Sequence, residues 1–114
     1  MVNDFSSGDL LQPQAQGSVT VQQVEGVVYI RVRGEFTFKI RQAFREAYSR
    51  EPSSSQFVVD LTGVNSMDSS AMGMLLVLRE YAGGDRANIA LTNLTPRMAA
   101  LLKLANLNEL FKFS

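Results

Sequence analysis

The sequence has neither cysteine nor histidine among its 114 residues. Without cysteine there is no disulfide framework, no thiolate nucleophile and no cysteine-based zinc site. Without histidine there is no Ser-His-Asp triad, no imidazole base and no histidine cluster for a metal. The GxxxxGK[ST] phosphate loop and the GxGxxG fingerprint are missing as well. These absences exclude most familiar hydrolase and nucleotide-binding mechanisms, and we expect no catalytic residue, metal or other cofactor.

Net charge and long apolar runs are also lacking. Eleven basic residues balance eleven acidic ones, so no net field would hold the chain to nucleic acid or to an anionic membrane. Apolar runs such as residues 74–78 fall far short of the ~20 residues that a membrane-spanning helix needs. A basic segment followed by an apolar block, typical of a secretory signal, is not found at the start. We therefore expect a cytoplasmic protein with no direct nucleic-acid binding and no membrane insertion.

The length is typical of one domain, preceded by a short leader. Residues 1–17 mix Ser, Gly, Gln and Pro without a sustained period, which predicts a flexible or loosely docked segment. The domain is then expected to span residues 18–114.

Alternating and apolar runs predict the strands. VTVQQV and VVYIRV alternate on either side of Glu25-Gly26, a natural hairpin turn that makes the first two strands antiparallel. The run FVVDL is typical of a strand buried on both faces, and we expect loops at residues 35–38 and 62–67. The strands are predicted at residues 19–24, 27–32, 57–61, 87–91 and, at the end of the sheet, 110–113.

Helical periodicity and capping residues predict the helices. An apolar stripe runs from Ile40 to Tyr48. A second helix is expected after Asp68 or Ser69 as its N-cap, and a third after Thr95. The resulting order, ββαβαβα with a possible terminal strand, predicts an α/β fold: a single domain with a mixed, mostly parallel sheet of four or five strands, packed with three or four helices. Periodicity leaves open whether the helices cover one face of the sheet or both.

The segment MDSSAMGMLLVL, residues 67–78, places an acid and two hydroxyls before an apolar helix. Asp and Ser are good N-caps, so capping alone explains their presence. The same position also suits a phosphate, because free backbone N–H groups and the helix dipole favour an anion there. A phosphoryl group would add about −1.5 to −2 charges and could switch off a binding surface. Both interpretations are compatible with the residues.

The run Asp68-Ser69-Ser70-Ala71-Met72-Gly73 is similar to the D-S-[ST]-G-[LM]-G motif of STAS domains of the bacterial anti-sigma factor antagonist type. Gly34-Glu35 matches a GE pair that this family carries after its second strand, and the resemblance extends from about residue 19 to residue 113. It implies that Ser69 is the phosphoacceptor, with Ser70 as the neighbouring, secondary hydroxyl. The implied partners are a serine kinase that doubles as an anti-sigma factor and a serine phosphatase that restores the binding form.

The resemblance also implies a partner-binding surface. Its residues are Glu35, Phe36, Thr37, Met67, Asp68, Ser69, Ser70, Ala71, Met72 and Gly73. Two positions depart from the family: Ala71 replaces the first motif glycine, and Thr37 stands where an acid is common.

Our hypothesis is a phosphorylation-controlled protein-binding switch that is not an enzyme. The alternative is an accessory subunit of a transport ATPase complex, with the same fold and no phosphorylation. A small phosphotransfer enzyme or hydrolase using the serines as nucleophiles is a third option. Without histidine its base would be Asp68 or a lysine, and no lysine lies near the motif in sequence.

Overall fold

A computed structural model describes residues 17–53 and 55–114 of the chain. The predicted leader, apart from Gly17, therefore lies outside the described residues. The strands are β1 Ser18–Val24, β2 Val27–Phe36, β3 Gln56–Met67, β4 Ile89–Thr92 and β5 Lys112–Phe113. The α-helices are α1 Arg41–Ser49, α2 Ser69–Tyr81 and α3 Pro96–Leu104.

The strands form a mixed sheet in the order β1-β2-β3-β4-β5. β1 and β2 are antiparallel, and all later neighbours are parallel. The predicted hairpin is confirmed, since Glu25 and Gly26 both have positive φ, 52° and 83°, as a tight turn that follows the strand twist requires. The predicted single α/β domain with a mixed, mostly parallel sheet is confirmed, and the described residues form five strands and three α-helices.

All three helices cover one face of the sheet. Each helix connects a strand to its next neighbour in the same direction, and right-handed crossovers then place every helix on the same side. Burial agrees: Val28, Ile30 and Val32 of β2 are fully buried, whereas Tyr29 and Arg31 between them are exposed. We call the uncovered side the open face.

Two sequence predictions about the central strands were wrong. The expected burial of β3 on both faces is not seen, because Val58 and Asp60 lie on the open face and keep part of their surface exposed. The expected loops at 35–38 and 62–67 are largely strand, since β2 continues to Phe36 and β3 to Met67. Paired backbone groups satisfy one another's hydrogen bonds, and this overrides the turn tendency of residues such as Gly63 and Asn65.

Aromatic contacts in the core fix α1 and α2 against the sheet. The Phe36 and Phe44 ring centroids are 5.4 Å apart, those of Phe44 and Tyr48 5.9 Å, and those of Tyr48 and Tyr81 5.1 Å. These separations are typical of favourable aromatic pairs. The chain of rings links β2 to α1 and α1 to α2, so it sets the spacing between these two helices.

Candidate functional site

The carboxyl ends of β2 and β3 bring the predicted contact segments together. These parallel strands stay paired to their ends, where Glu35 lies beside Ser66 and Phe36 beside Met67. The segment after β2 and the start of α2 after β3 therefore share one edge of the sheet, where loops of α/β proteins bind their ligands. Residues that are far apart in the chain thus form one surface.

Asp68 is the N-cap of α2. Its backbone is extended, with φ −118° and ψ −176°, and its carboxylate Oδ1 accepts a hydrogen bond of 2.9 Å from the Ser70 backbone N–H. The sequence allowed either Asp68 or Ser69 in this role. Because the aspartate caps the helix, Ser69 becomes the first helical residue, and it is exposed to solvent. Its hydroxyl is therefore not needed for capping.

The predicted contact residues differ in their exposure. Asp68, Ser69 and Gly73 are exposed. Glu35, Thr37, Met67, Ser70 and Met72 are half-buried. All eight residues keep accessible surface and lie at or shortly after the ends of β2 and β3.

The other two predicted contact residues, Phe36 and Ala71, have no exposed surface. Placing them in direct contact with a partner was therefore wrong. Phe36 is the last residue of β2 and follows its alternation, so its side chain points under α1 and packs on Phe44. Ala71 lies on the core side of α2. Both residues support the surface from below.

Phe38 is the aromatic side chain that this edge does expose, with 62% of its surface accessible. It follows Thr37, whose hydroxyl accepts a hydrogen bond from the Lys39 backbone N–H at 3.4 Å and so caps the short 3-10 turn Phe38–Ile40. A large apolar side chain held in solvent on an ordered turn is a candidate contact residue.

A groove of about 1200 Å³ runs between α1 and α2. We call it the α1–α2 groove. Its lining includes Phe38, Arg41, Arg45, Ser70, Gly73 and Val77. Val77 is 56% exposed, although it lies inside the apolar run MLLVL. The neighbouring helix determines which face of α2 packs on the core. The local sequence of α2 therefore could not predict the groove.

Basic side chains border the start of this groove. Lys39 Nζ lies 3.6 Å from Glu35 Oε1, whereas Arg41 and Arg45 have no carboxylate within 4 Å among the residues that the structure describes. Asp68, the acid of the motif, is the N-cap of α2 and is not among the residues that line the groove. The surface therefore combines an exposed hydroxyl, apolar side chains and two arginines that are available to an anion.

Asp60 lies on the open face and is fully engaged in hydrogen bonds. Its Oδ1 accepts from the Thr62 backbone N–H at 3.0 Å and from Asn93 Nδ2 at 2.9 Å, and its Oδ2 accepts from Arg31 Nε at 3.2 Å. Partial burial opposes ionisation, but the bonds from Thr62, Asn93 and Arg31 outweigh it and lower the pKa of Asp60 to about 2. This carboxylate ties β2, β3 and the end of β4 together.

Acidic side chains in the described part of the chain form no group of three that would hold a metal ion. None of the helices within residues 17–53 and 55–114 is long and apolar enough to cross a membrane.

Comparison with known families gives one match over most of the chain. The family model described as "Mlab, STAS domain" matches residues 19–112. Among curated proteins, the STAS-domain containing protein PA14_20770 of Pseudomonas aeruginosa (strain UCBPP-PA14) is 44% identical over 86 residues, which cover 75% of this chain and 85% of that protein.

Solved structures show the same fold at lower identity. An anti-sigma factor antagonist from Mycobacterium paratuberculosis is 21% identical with a TM-score of 0.71, covering 85% of this chain and 84% of its own. The anti-sigma factor antagonist SpoIIAA in its unphosphorylated form is 18% identical with a TM-score of 0.71, covering 85% and 88%. The phosphorylated form of SpoIIAA, a Bacillus cell fate determinant, has a TM-score of 0.61 at 18% identity, covering 85% and 91%.

Proposed function

Because this chain belongs to the STAS domain family, we propose that it is a protein-binding switch of the anti-sigma factor antagonist type, controlled by phosphorylation of Ser69. In the unmodified form, the edge around Ser69 binds a serine kinase that also acts as an anti-sigma factor. Phosphorylation opposes this binding, and a serine phosphatase restores it. In this proposal the protein works in the cytoplasm and is a substrate and ligand, not an enzyme.

The observation that carries the proposal is the division of roles at the start of α2. Asp68 supplies the cap through its 2.9 Å hydrogen bond to Ser70, and Ser69 is exposed as the first residue of the helix. A kinase therefore has access to the Ser69 hydroxyl without breaking the cap. A phosphoryl group there would meet the positive end of the helix dipole, which stabilises the modified form.

Repulsion and desolvation explain how the modification would weaken binding. The phosphoryl group brings about −1.5 to −2 charges next to the carboxylate of Asp68. A partner that docks on this edge must also remove water from the new charges, and leaving a buried charge without a partner costs about 3–5 kcal/mol. Even a part of that cost changes affinity by more than tenfold. The switch needs no change of fold. The phosphorylated and unphosphorylated structures of SpoIIAA both share the fold of this chain, which supports this point.

The test uses three single variants of the full chain with serine kinases of the host that act as anti-sigma factors. We expect mass spectrometry to place the phosphate on Ser69 after incubation with ATP. Ser69→Ala should abolish modification and keep binding, whereas Ser69→Asp should weaken binding by at least about tenfold. Ser70→Ala is the matched control, because it removes the neighbouring hydroxyl and leaves the Asp68 cap intact.

A negative outcome is clear in this design. If Ser69 stays unmodified and Ser69→Asp binds as tightly as the original chain, the switch hypothesis fails.

A second candidate is an accessory subunit of a transport ATPase complex that binds its partner permanently. The exposed apolar side chains of Phe38 and Val77 beside the motif favour it, since permanent interfaces are more apolar than transient ones. Co-purification with an ATPase from cells, unchanged by Ser69→Asp, would support this function over the switch.

A further inference from the structure

The α1–α2 groove leaves apolar side chains exposed to solvent. Phe38 is 62% exposed at the start of the groove and Val77 is 56% exposed along its α2 wall. The buried core residues Phe44 and Met74 line the same groove. Ordered apolar surface of this kind is typical of a site that another segment covers.

The path of the chain before β1 points to this groove. Gly17 has φ +83°, and a Cβ atom at this position would collide with the Glu35 carbonyl oxygen and approach Ile40 Cγ2 to 3.1 Å. Ile40 is the residue directly before α1. The residues that precede Gly17 therefore join the domain next to the start of α1, where the groove also begins.

The acidic leader is complementary to the two arginines on α1. Residues 1–16 contain Asp4 and Asp9 and neither lysine nor arginine. Arg41 and Arg45 stand one turn apart on α1 and both line the groove, whose acidic lining residues are Glu46 on α1 and Glu80 near the end of α2. Like charges at this spacing repel each other, and no carboxylate of the described residues lies within 4 Å of either. An acidic segment would relieve that repulsion.

The leader also has sufficient length and apolar content. Leu11 precedes Gly17 by six residues, so it can lie at most about 20 Å away, and Asp4 can reach about twice that distance. The 13-residue helix α2 is only about 20 Å long. Phe5, Leu10 and Leu11 are the apolar side chains within this reach.

We propose that residues 4–11, DFSSGDLL, bind in the α1–α2 groove, with their apolar side chains on Val77 and Phe38 and their aspartates beside Arg41 and Arg45. The bound segment would cover the groove side of Ser70. Where the proposed function holds, the leader then competes with the partner for the edge around Ser69.

The absence of cysteine allows a direct test in the full-length chain. Ser7→Cys introduces a unique thiol for a nitroxide label, and the label broadens the amide resonances of nearby residues in ¹⁵N-labelled protein. We expect strong broadening at Gly73 and Val77 and none at Thr92 and Lys112, which lie near the other edge of the sheet. In a control sample, protein that carries the nitroxide but no ¹⁵N is mixed with ¹⁵N protein that carries no nitroxide. The resonances of the ¹⁵N protein should not broaden, because the proposed contact is within one chain.

Charge reversal makes the test specific. Arg41→Glu with Arg45→Glu should lower the ratio of bound to free leader by at least about fivefold, and adding Asp4→Lys with Asp9→Lys should restore it. Arg33→Glu, on the open face, is the control and should have no effect.

Three results would overturn the proposal: broadening centred on β1 or the open face, no selective broadening, or broadening in the mixed sample. The measurement needs no kinase, so its failure is independent of whether Ser69 is phosphorylated.

Discussion

Asp60→Asn should remove one identifiable part of the pH dependence of stability. The carboxylate is held by Thr62, Asn93 and Arg31 on the open face. Asparagine is of the same size, and its Oδ1 can still accept from the Thr62 backbone N–H and from Asn93. It carries no charge, however, and its amide nitrogen cannot accept the bond from Arg31. The substitution therefore removes the charge and the ion pair with little change in packing.

The expected loss of stability follows from the pKa of Asp60, which falls from the ordinary 3.8 to about 2 in the folded chain. That difference corresponds to at most ~2.4 kcal/mol, and screening at the partly exposed Arg31 reduces our expectation to about 1–2 kcal/mol. A carboxyl with a lowered pKa stabilises the fold above its unfolded pKa and loses this contribution as pH falls through its folded pKa. The loss should thus occur between about pH 5 and pH 2.

Urea unfolding of both chains from pH 7 to pH 2.5 measures this effect. We expect Asp60→Asn to be less stable by about 1–2 kcal/mol at pH 7 and the two chains to converge at low pH. Asp85→Asn is the control: its bond to Arg79 is 2.8 Å long but the aspartate side chain is 99% exposed, so the cost should stay below about 1 kcal/mol. A difference between the original chain and Asp60→Asn that is constant across the pH range would refute the reasoning.

Three further predictions concern α2. Asp68→Ala removes the cap and should lower the free energy of unfolding by about 1 kcal/mol in urea titration; an unchanged midpoint would contradict the capping role. Gly73→Ala places a Cβ in open space and should stabilise the helix by about 0.5–1 kcal/mol, so weaker partner binding by this variant would report close contact at Gly73. Leu78→Ala, at a fully buried position, should cost about 2–5 kcal/mol and lower Tm in calorimetry, and a small loss would show that the core closes around the cavity.

The motif could be placed from the sequence because its signals are local. Asp68 followed by an apolar run marks a helix start, and Glu25-Gly26 between alternating segments marks a hairpin. The loop predictions were wrong where pairing between strands that are far apart in sequence determined the local structure. Phe36 and Ser66 lie in segments that carry turn-forming residues, yet the pairing of β2 with β3 extends through both. Pairing partners far apart in sequence leave no trace in a short window, so Phe36 was expected in a loop and is instead buried.

The sequence by itself determined the order of strands and helices, the α/β class and the position of Ser69 at a helix start, because propensity, periodicity and capping act over a few residues. It also excluded histidine and cysteine chemistry outright. Only the tertiary structure decided which side chains of that helix face solvent, since exposure depends on the neighbouring elements. Packing against α1 leaves Val77 open in a groove and buries Ala71, and the parallel pairing of β2 with β3 brings Glu35 to the same edge as Asp68.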